Sequence, residues 1–464
     1  MNRLIFKNAT IVTGERSAKG ALSVYGDKID EVFWNEAEAD SFILANPGIE
    51  VVDLGGKLLM AGCIDTHVHF REPGMESKAT IGSESKAALT GGVTSFVDMP
   101  NTNPPTVNLQ RLSDKLKIAE TTSYSNYGFH IGATDGNFEE IQDIVDSGKG
   151  SLFGGIKVFM GSSTGNMLVD KAETLKRLFQ YREKEILIHS ESENVIRTNL
   201  EIARKHFGDE IPFSEHEFIR SIAACVQSTE RALDMALKYG TRLHILHVST
   251  AEEVYMIEKA KRSNPAITAE TSPNYLWFCD EAYFKMKGLV KCNPSIKTVQ
   301  ARTEIRHALK ERIIDTVGSD HAPHLLSEKT GHSYIETPSG MPSIQQEVSV
   351  ALSVAAEEGI PLTTMASALS EKVARMFGIE KRGILQKGNY ADLMVINPEE
   401  EFIVGKDRDI SGTAGIDYKC GWSPYEGTKL KYAVKAVYLN GKRVADCGRL
   451  LIDEPEGQAL KFDN

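Results

Sequence analysis

The chain has 464 residues, 41% hydrophobic and 25% charged, with a formal net charge of −11. That length fits two or three domains, or one large β/α barrel with an appended domain. The acidic balance excludes a general nucleic-acid binder, which needs a basic face, but leaves room for a small anion held by a local Arg or Lys.

In chain order, the first ~60 residues read as short β-segments. LIFKNATIVTG, GALSVYGDKIDEVF and IEVVDLGGKLLMAG mix Val, Ile, Leu and Phe with Gly, Asn and Asp turn signals. MNRLIFKNATIVTG has no apolar core followed by a cleavage site, so no signal peptide is expected. No apolar run of ~18 residues suggests a membrane span. The expected location is the cytoplasm.

The middle of the chain changes character. Eight short apolar runs follow: MAGCIDTHVHF, VTSFVDMPN, SNYGFHIGAT, GGIKVFMGSS, EILIHSES, TRLHILHVST, AITAETSPNYL and RIIDTVGSDHAPH. Between several of them stand amphipathic helix-length segments, AETLKRLFQYREK, STERALDMALKYG and AEEVYMIEKAKRS. Strands interleaved with helices imply a parallel sheet, and eight such units a closed barrel. The last ~80 residues return to β-character in GILQKGNYADLMVIN and YAVKAVYLNGKRVADC, where Asn440-Gly441 is a hairpin signal. The expected fold is therefore α/β: a (β/α)8 TIM-type barrel over 61–379, with a small β-sandwich domain built from both chain ends, 1–60 and 380–464. The six cysteines are far apart with no C-x-x-C pair, which favours buried free thiols over a disulfide framework.

Active sites of such barrels lie at the C-terminal ends of the strands, and metal-type residues fall there. His67 and His69 end the first run, Lys157 lies in the fourth, His189 ends the fifth, His247 the sixth and Asp320 the eighth. Alternate residues of a strand share a face, so His67, His69 and Arg71 of CIDTHVHFREPG point the same way. Imidazole nitrogens and a carboxylate suit zinc. A single strand-end His also serves as a hydrogen-bonded structural residue, and Arg71 also reads as a surface ion pair. Lys157 reads as a surface charge or a rim salt bridge. Alternatively, its neutral amine adds CO₂ to give a carbamate with two anionic oxygens, a reaction that burial in GGIKVFM favours.

CIDTHVHFREPG, VDMPNTNPPT, IKVFMGSSTGN, ILIHSESE, LHVST and GSDHAPH together resemble the cyclic-amide branch of the amidohydrolase superfamily, and within it most the dihydroorotases. The resemblance spans about residues 8–444 and includes GILQKGNYADLMVIN and GWSPYEGTKLKYAVKAVYLNGK. It implies two zinc ions bridged by a carbamylated Lys157. His67, His69, Lys157 and Asp320 would serve one metal, and Lys157, His189 and His247 the other. It further implies attack of a metal-bridged hydroxide on the ring amide, with Asp320 as the catalytic residue that shuttles the proton.

The same resemblance implies that Arg71, Asn101 and His324 bind a substrate carboxylate and that Asn293 contacts the ring amide. Arg71 stands where dihydropyrimidinases and hydantoinases usually lack Arg and where allantoinases resemble HVHFNEPG. The implied activity is reversible cyclisation of N-carbamoyl-L-aspartate to (S)-dihydroorotate in pyrimidine synthesis. The alternatives are another cyclic-amide hydrolase or a non-catalytic scaffold relative, though all six metal-type residues are present. The sequence departs from the pattern at Asn274, where relatives often have His, and in NPSIK, where NPPLR is commoner. The expected partner is a small molecule carrying a carboxylate, with no nucleic acid and no membrane. A homo-oligomer is expected, with a dimer favoured.

Overall fold

The computed structural model describes residues 3–160, 167–169, 171–405 and 413–463. Each of the eight apolar runs contributes one barrel strand. These are Cys63–Val68, Val93–Asp98, Asn126–Phe129 continuing as Ile131–Gly132, Gly155–Phe159, Glu185–His189, Leu243–Ile245, Ile267–Thr271 and Thr316–Val317. Neighbours pair in parallel throughout. The ring closes where Val68 bridges His321 in parallel and the His69 N–H donates to the His321 carbonyl at 2.8 Å. A parallel sheet flanked by helices is buried on both faces and reads as near-continuous apolar sequence; every residue of Cys63–Val68, Val93–Asp98 and Gly155–Phe159 is buried.

Four of the flanking helices start on a side-chain cap. Thr80, Asn108, Thr250 and Thr298 each accept a backbone N–H three residues on, opening Ile81–Thr90, Leu109–Thr122, Ala251–Lys261 and Val299–Lys310. Such a cap satisfies a helix donor that has no partner within the helix. Ile222–Tyr239 ends at Gly240, whose φ of 66° gives a left-handed stop. Among the described residues, no helix is long and apolar enough to cross a membrane.

Strands from both chain ends share one sheet. Leu393–Asn397 pairs antiparallel with Leu58–Ala61 on one side and with Ala433–Leu439 on the other. Arg3–Val12 continues the sheet beside Leu58–Ala61, followed by Ser17–Tyr25 and Lys28–Phe33. Asn440-Gly441 makes the hairpin between Leu439 and Lys442, both with positive φ (51° and 79°), as a tight twisted turn requires. Residues 34–45, unread in the sequence, hold the helix Glu36–Ala45, capped by Asn35 and with Glu36 and Glu38 in its first turn.

The chain's last residues leave this sheet and run beneath the barrel, a departure from the expected 380–464 assignment. The Tyr127 N–H donates to the Gln458 carbonyl at 3.0 Å, and the Leu460 N–H donates back to Tyr127 at 2.8 Å. Leu460 and Phe462 join Ile64, Val97, Leu187, Leu246, Val373 and Phe377 in one buried cluster that plugs the barrel interior. Gly128 makes room for this plug: a Cβ there would sit 2.7 Å from Phe462 Cζ.

Candidate active site at the barrel mouth

The six metal-type residues are gathered at the C-terminal ends of the strands. His67 Nε2 and His69 Nε2 lie 3.3 and 3.4 Å from Asp320 Oδ1. The ligand atoms of these three residues all fall within 4.8 Å of one another. His189 Nδ1 faces His247 Nε2 at 2.9 Å. The two groups adjoin, because the His67 and His247 rings are 5.3 Å apart. Lys157 is 1% exposed, one strand over from His189. Burial pulls its amine down to about 7, against the upward pull of Asp320 and Glu270. Arg71, His247 and Asp320 have positive φ of 67°, 40° and 48°. Non-glycine residues hold that conformation only where the surroundings enforce it, at about 1–3 kcal/mol each.

Buried partners fix which ring nitrogen of His67, His69 and His189 faces the site. Glu270 Oε1 lies 2.6 Å from His67 Nδ1, and Asn101 Oδ1 lies 2.8 Å from His69 Nδ1. Both partners accept, so Nδ1 carries the proton and Nε2 presents its lone pair. On the other side, His189 Nε2 donates to Glu191 Oε2 at 2.9 Å, leaving its Nδ1 lone pair toward His247. Arg220 in turn pairs with Glu191. Burial brings His69 down to about 4 and holds His189 and His247 below the usual imidazole range. Asp320 stays below its ordinary carboxyl value in spite of its burial. Neutral imidazoles with oriented lone pairs and an ionised carboxylate are what a divalent cation takes, and carboxylate–histidine pairs of this kind tune metal ligands. The residues present therefore fit a metal centre.

Beside this cluster a narrow cavity of about 30 Å³ is lined by His69, Arg71, Asn293, Asp320, Ala322, Ser339 and Gly340. Arg71 is 2% exposed; its Nε donates to the Pro323 carbonyl at 3.0 Å and its Nη2 lies 3.2 Å from His324 Nε2. Burial lowers its guanidinium to about 10, still a cation at neutral pH. His324 Nδ1 lies 3.0 Å from the Lys78 ammonium and accepts from it, so Nε2 is the protonated nitrogen and donates to the Ser339 carbonyl at 3.1 Å. Asn293 Oδ1 is buried with no hydrogen-bond partner among the described residues. Asn101 is drawn toward the metal-type cluster, its side-chain oxygen committed to His69. Residues 161–166 of the IKVFMGSSTGN motif lie outside the described residues.

Several buried groups were not singled out in the sequence. Asp65 Oδ1 accepts the N–H groups of His67 and Ser319 at 2.9 and 3.2 Å, joining the strand ends that carry His67 and Asp320. Glu191 follows His189 by two residues, a spacing that would have marked it. Glu270 sits in the apolar run ITAET with only its charge as a signal. His244 lies 3.6 Å from Glu270 Oε2, with its ring 5.9 Å from that of the interior Phe377. His244 and His247, three residues apart, both reach the barrel interior because the positive φ of His247 breaks strand alternation.

A closed parallel barrel whose mouth gathers carboxylate-oriented histidines and an ionised aspartate defines a metal-dependent barrel hydrolase. The Amidohydrolase family model matches residues 58–444, and the chain belongs to that family. It is similar to the dihydroorotase of Methanosarcina acetivorans, 32% identical over 387 residues that cover 81% of this chain and 79% of the relative. It is also similar to the allantoinase of Deinococcus radiodurans, 28% identical with 99% and 98% covered. Its fold matches the L-hydantoinase of Arthrobacter aurescens with a TM-score of 0.90, at 24% identity and covering 99% of this chain and 100% of that one. The chain is a cyclic amidohydrolase, a metal-dependent hydrolase acting on cyclic amides.

Proposed function

We propose that this cyclic amidohydrolase is a dihydroorotase, interconverting N-carbamoyl-L-aspartate and (S)-dihydroorotate in pyrimidine synthesis. The observation that carries the reading is the buried Arg71 cation in the wall of the cavity that also holds His69 and Asp320. A guanidinium in such a place needs an anion, and a ring carboxylate meets it with paired charge-assisted hydrogen bonds. In this reading His67, His69 and Asp320 would hold one zinc ion and His189 and His247 a second, with a carbamylated Lys157 as a further ligand. When bound, the ions supply Lewis acidity at the ring carbonyl and a water acidified to near neutrality.

The chain's own residues do the rest. Arg71 takes the carboxylate. The neutral His324, which donates from Nε2 to the Ser339 carbonyl, stands beside Arg71 at the same wall. Asn293 offers its unpartnered side-chain oxygen to the ring N–H. Asp320, ionised and close to both first-strand histidines, accepts a proton at its carboxylate and returns it to the leaving ring nitrogen. The expected setting is a cytoplasmic homo-oligomer, with a dimer favoured.

The test is a substrate panel on purified, metal-replete protein: dihydroorotate, allantoin and dihydrouracil. Turnover of dihydroorotate is expected to dominate. Arg71→Met is expected to lower kcat/KM on it roughly 100-fold, the worth of two hydrogen bonds to a charged group, with bound metal unchanged. Turnover of allantoin or dihydrouracil with none of dihydroorotate would overturn the reading.

A further inference from the structure

We propose that Lys329 is a positioning residue for the substrate pocket, tying three pocket-lining segments into one fixed wall. Its ammonium is 2% exposed and donates to three backbone carbonyls, those of Lys291 at 3.0 Å, Pro338 at 2.8 Å and Gly340 at 2.8 Å. An ammonium has three donors and no acceptor, so three carbonyls satisfy it fully. The carbonyls belong to two different stretches of chain, and both reach the cavity. One is followed two residues on by Asn293; the other brackets Ser339 and ends at Gly340. Lys329 itself ends the short helix Leu326–Lys329, which departs directly from the third stretch, residues 320–324.

The knot has further strands. The Gly340 N–H donates to the same Lys291 carbonyl at 2.9 Å. Lys291 Nζ donates to the Tyr334 and Thr337 carbonyls, each at 2.6 Å. Gly340 has a φ of 137°, and a Cβ there would lie 2.5 Å from the Ala322 carbonyl oxygen, so the wall packs backbone against backbone. Residues 325–342 are thus held in place from beneath. Removing the ammonium leaves the Pro338 and Gly340 carbonyls without that donor, the Lys291 carbonyl keeping only the Gly340 N–H, and loosens the wall that carries Ser339 and Gly340. A shift of about 1 Å in such a wall is enough to spoil the placement of a bound ring. The inference rests on reading that cavity as the substrate pocket.

Lys329→Met keeps the volume and removes the donors. In the purified full-length chain with its metals, KM for the substrate found in the panel is expected to rise roughly tenfold or more. The expected accompaniments are a kcat changed by less than about threefold and unchanged bound metal. An unchanged KM, or a fall in kcat alone, would overturn the proposal. Should that variant fail to fold, hydrogen exchange on the wild-type protein decides. The Gly340 amide is expected to exchange as slowly as the amides of the barrel strands, and exchange at the rate of an open loop would contradict the wall. The exchange measurement needs no substrate, so the wall and the proposed activity fail separately.

Discussion

At the N-terminal end of the barrel, Phe377, Leu460 and Phe462 pack against Ile64 and Leu187 to close the interior with apolar side chains. At the C-terminal mouth the same strands finish in His67, Lys157, His189 and Asp320, buried, polar and in part on strained backbone. The floor gains from burial, about 25 cal/mol for each Å² of apolar surface removed from water. The mouth works against stability: desolvation disfavours each charge, and oriented pairs such as Glu270–His67 and Glu191–His189 offset part of it. One set of strands thus divides the work, with one end holding the fold and the other spending stability on chemistry. Substitutions at the two ends should therefore give opposite signatures.

Asp320→Asn should lower kcat on the panel substrate roughly 10²- to 10⁴-fold, the usual worth of a positioned acid–base group, with thermal stability unchanged or higher. Loss of stability in step with activity would place Asp320 on the structural side. Phe462→Ala should do the reverse, costing about 3–5 kcal/mol in denaturant unfolding by leaving a cavity in the plug, while kcat per folded molecule stays constant. A lowered kcat in the folded fraction would mean that the floor reaches the chemistry.

A smaller effect concerns pH. Burial holds His130 at about 3, its Nε2 on the Thr66 carbonyl and its ring 5.5 Å from that of Phe377. A histidine with a depressed folded pKa binds fewer protons than in the unfolded chain. Its contribution is therefore complete above about 6.5 and is lost as pH falls toward 3. Stability should decline through that window, and His130→Gln should flatten the decline; an unaltered slope would assign it to other groups.

Much of this division is legible in the sequence. The eight runs stand out because a strand buried on both faces has few polar positions. Strand alternation aims His67, His69 and Arg71 together in the sequence, and all three reach the mouth although the strand ends at Val68 and Arg71 has a positive φ. That rule fails at His247, where positive φ rotates the chain and brings His244 inside as well. The orienting acids were hidden for another reason. Glu270 and Asp65 look in sequence like any charge in a strand, and only the distances to His67 reveal what each does. The helix Glu36–Ala45 buries only Ala39 and so lacks the apolar stripe that marks a helix. The tail's return beneath the barrel rests on contacts more than 300 residues apart, which local pattern does not encode.

The chemistry proposed for the mouth depends first on its metal content. Purified protein, loaded with zinc and freed of excess, should hold two ions per chain, and Lys157→Ala should lose most of that metal while remaining folded. Metal bound in full by Lys157→Ala, or none bound by the wild-type chain, would contradict it.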